Sequence, residues 1–88
     1  MKTIYKYQLD VTDVQTLHIP KNSKILNIQT QKNTPCIWAL VDTNEKIEDR
    51  KIKIYGTGHE CSSCYEEYIG TFQIENGSLV FHVFESFS

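Results

Sequence analysis

Tyr68-Ile69-Gly70-Thr71-Phe72-Gln73-Ile74-Glu75, Asn76-Gly77-Ser78 and Leu79-Val80-Phe81-His82-Val83-Phe84-Glu85 make two alternating runs joined by an Asn-Gly dipeptide. Asn and Gly accept the positive φ angles of a type I′ turn, whose twist matches that of two paired strands. The spacing predicts an antiparallel hairpin of Tyr68–Glu75 with Leu79–Glu85 across Asn76-Gly77.

The same period of two continues toward the N-terminus. Tyr5, Tyr7 and Leu9 share one face of a first strand. Leu17 and Ile19 alternate with Thr16 and His18 in a second, which Pro20 ends. Residues 25–30, 36–41 and 51–55 read as three more strands. Residues 42–50 read as a charged loop with one helical turn around Lys46. The pattern predicts an all-β chain: a small antiparallel sandwich or curled barrel of six to seven strands.

Two of these strands are apolar on both faces. Cys36, Trp38 and Leu40 oppose Ile37, Ala39 and Val41; Leu79, Phe81 and Val83 oppose Val80, His82 and Phe84. Such strands need cover on both sides. No 3.6-residue pattern is long enough to supply a covering helix. The cover is then a second sheet, a curled barrel or another copy of the chain, so the sequence predicts a homo-oligomer.

Eighty-eight residues make one domain, 1–88, because a second core does not fit in so short a chain. The formal charge of −2 gives no reason to expect DNA, RNA or an anionic membrane as partner. No apolar run approaches the roughly 18 residues of a membrane span. The N-terminus alternates and lacks the apolar core of a signal peptide. These features predict a cytoplasmic protein with reduced thiols, and an odd count of three cysteines agrees.

The candidate site is Ile52-Lys53-Ile54-Tyr55-Gly56-Thr57-Gly58-His59, an alternating strand that runs into a glycine-punctuated loop. Gly56 and Gly58 free the backbone to turn its N–H groups inward as a small anion-binding concavity. Tyr55, Thr57 and His59 place polar side chains around it. Arg50 and Lys53 are the candidate charge partners, and Trp38 the candidate stacking surface for a planar ligand. Cys61-Ser62-Ser63-Cys64 with His59 supplies half of a tetrahedral zinc set, with Cys36, His18 and His82 the remaining candidates to complete it. The expectation is no metal and no cofactor. The chain has no nucleophile-base-acid order, phosphate-binding loop or helical metalloprotease motif, and no enzyme activity is predicted.

Five blocks carry a resemblance: Ile4-Tyr5-Lys6-Tyr7, Pro35 to Asp42, Ile54 to His59, Tyr68 to Gln73 and Leu79 to Glu85. They resemble a family of small uncharacterised proteins of phages and prophages, catalogued as a domain of unknown function. The pattern departs from that family at Glu60 to Tyr65. The resemblance implies phage origin and one compact domain, but no activity. The expectation is a non-enzymatic binder, an oligomeric sponge for a small anionic nucleotide-like host immune signal. The alternatives are an inhibitor docking a host protein through a sheet edge or aromatic patch, and a small hydrolase using His59.

Overall fold

The hairpin forms where the alternation places it. In the computed structural model, which describes residues 1–61 and 66–87, Glu66–Ile74 pairs antiparallel with Leu79–Ser86. Asn76 (φ 57°, ψ 31°) and Gly77 (φ 87°) carry the positive angles of the turn, and Ser78 N–H closes it on Glu75 O at 3.1 Å. Glu75 also has positive φ, so the ladder stops one pair early, at Ile74 and Leu79. A Cβ on Gly77 would sit 3.1 Å from Gln73 Oε1. Gly77→Ala should therefore cost about 1–2 kcal/mol, the left-handed penalty of an L-residue. A melting temperature lowered by several degrees checks this.

Seven strands follow in chain order: β1 (Lys2–Gln8), β2 (Val14–Pro20), β3 (Lys24–Gln31), β4 (Thr34–Asp42), β5 (Ile47–Gly56), β6 (Glu66–Ile74) and β7 (Leu79–Ser86). They form two antiparallel sheets, β1-β4-β3 and β2-β5-β7-β6. The architecture is an open sandwich rather than a closed barrel, because the two sheets face each other without sharing a ladder. β5 begins at Ile47, four residues before the expected Lys51. No helical turn forms around Lys46: Glu45 N–H closes a turn on Asp42 O at 3.1 Å, and from Ile47 the chain is strand, with Ile47, Glu48 and Asp49 paired to Pro20, Ile19 and His18.

The inner faces meet through Leu17, Ile19, Ile28, Ile37, Ala39, Val41, Ile52, Ile54, Phe72 and Val83. For β4 the core side is Ile37, Ala39 and Val41. Trp38 and Leu40 face outward, half-buried and exposed. One side of the sandwich is drawn tight where β3 packs on β6. Thr30 Oγ1 donates to Gln73 O at 2.7 Å, and Asn33 exchanges hydrogen bonds with Glu75. A Cβ on Gly70 would stand 2.5 Å from Ile28 Cγ2, so only glycine admits this approach.

Beyond the aliphatic core, one end of the interlayer is closed by charge. Alternation along β5 and β7 turns Arg50 and Glu85 inward. Arg50 Nε and Nη2 donate to Glu85 Oε2 and Oε1 at 2.6 and 2.9 Å, and Nη1 donates to Ser23 O at 2.7 Å. The Glu85 hydrogen bonds raise the Arg50 pKa against the opposing effect of burial, keeping the guanidinium charged.

Candidate functional site

The loop after β5 is a tight turn. His59 N–H closes on Gly56 O at 3.0 Å, with Thr57 and Gly58 between them. Gly58 has φ 87°, the third-position angle of a type II turn, which calls for glycine. Thr57 N–H is spent on Val80 O at 3.3 Å. Two of the N–H groups expected to cradle an anion are therefore bonded within the protein. The His59 ring covers Gly56 so closely that a Cβ there would stand 2.8 Å from Cε1. Its imidazole is exposed and forms a wall shared by two clefts. One, of about 370 Å³, includes Val14, Lys53, Tyr55 and Glu60; the other, of about 320 Å³, includes Thr57, Leu79, Val80 and Phe81.

The two candidate charge partners separate. Arg50 and Lys53 differ by an odd number of residues on one strand, so their side chains take opposite faces. Arg50 points inward to Glu85 and lies six residues from Gly56, roughly 20 Å of extended strand. Lys53 lies on the outer face, with Nζ 3.2 Å from Glu66 Oε2. Tyr55 donates to the same carboxylate oxygen at 2.7 Å. The Glu66 side chain is only 5% exposed, so the Lys53 charge is largely spent on it. Trp38 is placed on the outer face of the other sheet, away from the loop, opposite Lys6 and Asn27 in the register.

The loop is joined instead by a row of residues across the outer face of β5, β7 and β6, where the register aligns Tyr55, His82 and Thr71. His82 Nε2 is 2.8 Å from Thr57 Oγ1, His82 Nδ1 is 3.0 Å from Thr71 Oγ1, and Thr71 Oγ1 is 2.6 Å from Tyr68 Oη. Tyr55 and Tyr68 stand edge-to-face on Phe84, with centroids 5.6 and 5.4 Å away. A hydroxyl both donates and accepts, so the two threonines satisfy either tautomer of His82. No carboxylate orients this imidazole among the described residues, and the arrangement is not that of a nucleophile-base pair. Sequence reading grouped His82 with the apolar Val80 and Phe84 and missed the network. The signal lay in the threonines Thr57 and Thr71, whose β-register is visible only once the strands are paired.

The other sequence-predicted ligating groups are dispersed. Cys36 is buried beneath the outer face of β4, while His18 sits on β2 with Nδ1 2.7 Å from Asp49 Oδ1. Cys61 is exposed, and Cys64 lies outside the described residues. Among the described residues no group of three His, Cys, Asp or Glu side chains could hold a metal ion. A larger hollow of about 710 Å³ opens at the opposite end of the sandwich, beside Arg50, Glu85 and Phe87. It is broad and shallow, and its central charges already satisfy each other.

A family model described as a domain of unknown function, DUF7352, matches residues 1–88. No curated protein and no solved structure matches the chain. Among the described residues no helix is long and apolar enough to cross a membrane.

Proposed function

We propose that this chain, which belongs to the DUF7352 family, is a non-enzymatic binding protein for a small, partly planar, nucleotide-derived ligand. The ligand sits at the Gly56–His59 loop and the adjoining outer face of β5, β7 and β6. One observation carries the reading: Tyr68, Thr71, His82 and Thr57 form a continuous hydrogen-bonded row that ends beside the exposed His59 ring and its two clefts.

Hydroxyls, imidazoles and aromatic faces suit the base and ribose of such a ligand. Its negative charge would meet His59 and the part of Lys53 that Glu66 leaves unneutralised. Arg50 and Trp38 take no part in this version of the site. A satisfied His82 without a carboxylate partner favours retention over turnover. The resemblance to small phage proteins supports sequestration of a host immune signal as the biological purpose.

Calorimetric titration with a panel of cyclic nucleotides and ADP-ribose-type compounds tests the proposal. At least one should bind well below millimolar, the level at which affinity amounts to only about 4 kcal/mol. His59→Ala should weaken that binding about tenfold or more, with the melting temperature nearly unchanged because His59 is exposed. Gly58→Val is an unsuitable probe, since strain at φ 87° would lower stability by itself. A panel without a binder sinks the reading.

A further inference from the structure

Among the described residues nothing packs over the outer face of the three-stranded sheet. The register places Ile4 beside Leu40, and Lys6 and Asn27 on either side of Trp38. Ile4 and Leu40 are 56% and 38% exposed, and Trp38 is half-buried. Together they form one apolar stripe across β1 and β4, of a kind that marks an interaction site.

The charge around that stripe is mainly positive. Lys24 pairs with Leu40 in the ladder, Lys6 with Trp38, and Lys2 with Asp42. Lys6 Nζ donates to the neutral amide oxygen of Gln31, and Lys24 forms no ion pair among the described residues. Glu45 lines a cleft with Lys2, Lys24 and Leu40, and Asp42, on the strand face itself, is engaged by the N-terminal ammonium at 3.3 Å and by the Asn44 N–H at 3.0 Å. These hydrogen bonds, the Asn44 one first, hold its carboxyl below the usual range. A chain with net charge −2 thus presents one basic, apolar face.

We propose that this face docks an acidic segment of another protein, one that sets apolar side chains on Ile4, Trp38 and Leu40 and carboxylates against Lys2, Lys6 and Lys24. Charge complementarity selects this occupant. Two copies meeting through this face about a two-fold axis would press lysines against lysines. A nucleic acid would gain from the lysines, but two of the three apolar side chains give its bases no ring to stack on. The face lies on the opposite sheet from the ligand site, so the two proposals stand or fall separately.

Fluorescence anisotropy with short labelled peptides tests the assignment. The probes are a peptide alternating glutamate with leucine, one alternating lysine with leucine, and oligo-deoxythymidine. The glutamate-leucine peptide should bind below millimolar, and binding should weaken with added salt. Lys24→Glu and Leu40→Asp, each first checked by thermal melting to be folded, should each weaken it about tenfold or more. Lys46→Glu, in the loop before β5, should leave it unchanged.

No binding of that peptide, or equal binding of the lysine-leucine peptide, overturns the proposal. Insensitivity to both face variants does the same. Tighter binding of the oligonucleotide would overturn it in favour of nucleic acid. A concentration-dependent dimer abolished by Leu40→Asp would overturn it in favour of a second copy.

Discussion

Glu85→Ala should destabilise the protein by about 3–5 kcal/mol, the usual cost of leaving one partner of a buried ion pair alone. The Arg50 and Glu85 side chains are only 17% and 9% exposed, and the pair is bidentate. Arg50 also donates to the Ser23 carbonyl, tying the turn between β2 and β3 to the layer formed by β5 and β7. A chain of 88 residues has a total stability of about 4–13 kcal/mol at typical per-residue values, so this single loss removes a large share. Arg50→Lys should also be costly, because an ammonium cannot make the two parallel hydrogen bonds. The double substitution Arg50→Met with Glu85→Leu should recover most of the loss, since matched apolar groups replace such pairs with little penalty. Urea titrations with an unchanged slope would report these differences as shifts in midpoint. Single substitutions that each cost under about 1 kcal/mol would show that solvent reaches the pair more freely than its exposure indicates.

Gly70→Ala should also destabilise the protein substantially. The added Cβ would meet Ile28 Cγ2 at 2.5 Å, and neither atom is the free end of a flexible chain. Ile28 is 3% exposed and held within the core, so relief requires β3 and β6 to move apart. Overpacking of this kind costs about 1–3 kcal/mol, and Gly70→Val should exceed it. Ile28→Ala alone should cost about 2–5 kcal/mol through the cavity it leaves. In that background Gly70→Ala should cost much less, because the clashing methyl is gone. A double-mutant cycle measures the coupling directly. Additive effects would mean that the sheets do not touch at this point.

The strands and the hairpin at Asn76-Gly77 were local properties. Alternation decides which residues of a strand share a face, and Asn-Gly supplies angles that few other pairs accept. Alternation separates Arg50 from Lys53 only once pairing with β2 extends the strand back through Arg50. The early start of β5 was not local. Ile47 to Arg50 is charged and looks like a loop, yet it is extended because β2 supplies a partner for each residue.

The candidate site divides in the same way. The glycine turn and the exposed His59 were legible because they lie in consecutive residues. Thr71 and His82 come from β6 and β7 and Thr57 from the loop after β5, and only the order β5-β7-β6 brings both hydroxyls within 3.0 Å of the His82 ring. Trp38 shows the converse: the sequence marked it as able to stack, but pairing with β1 and β3 put it on the other sheet. Sequence by itself determined the strands and their two faces, because those depend on neighbours along the chain. Which faces meet, and which polar groups find partners, depended on contacts between distant residues that only the packed sheets create.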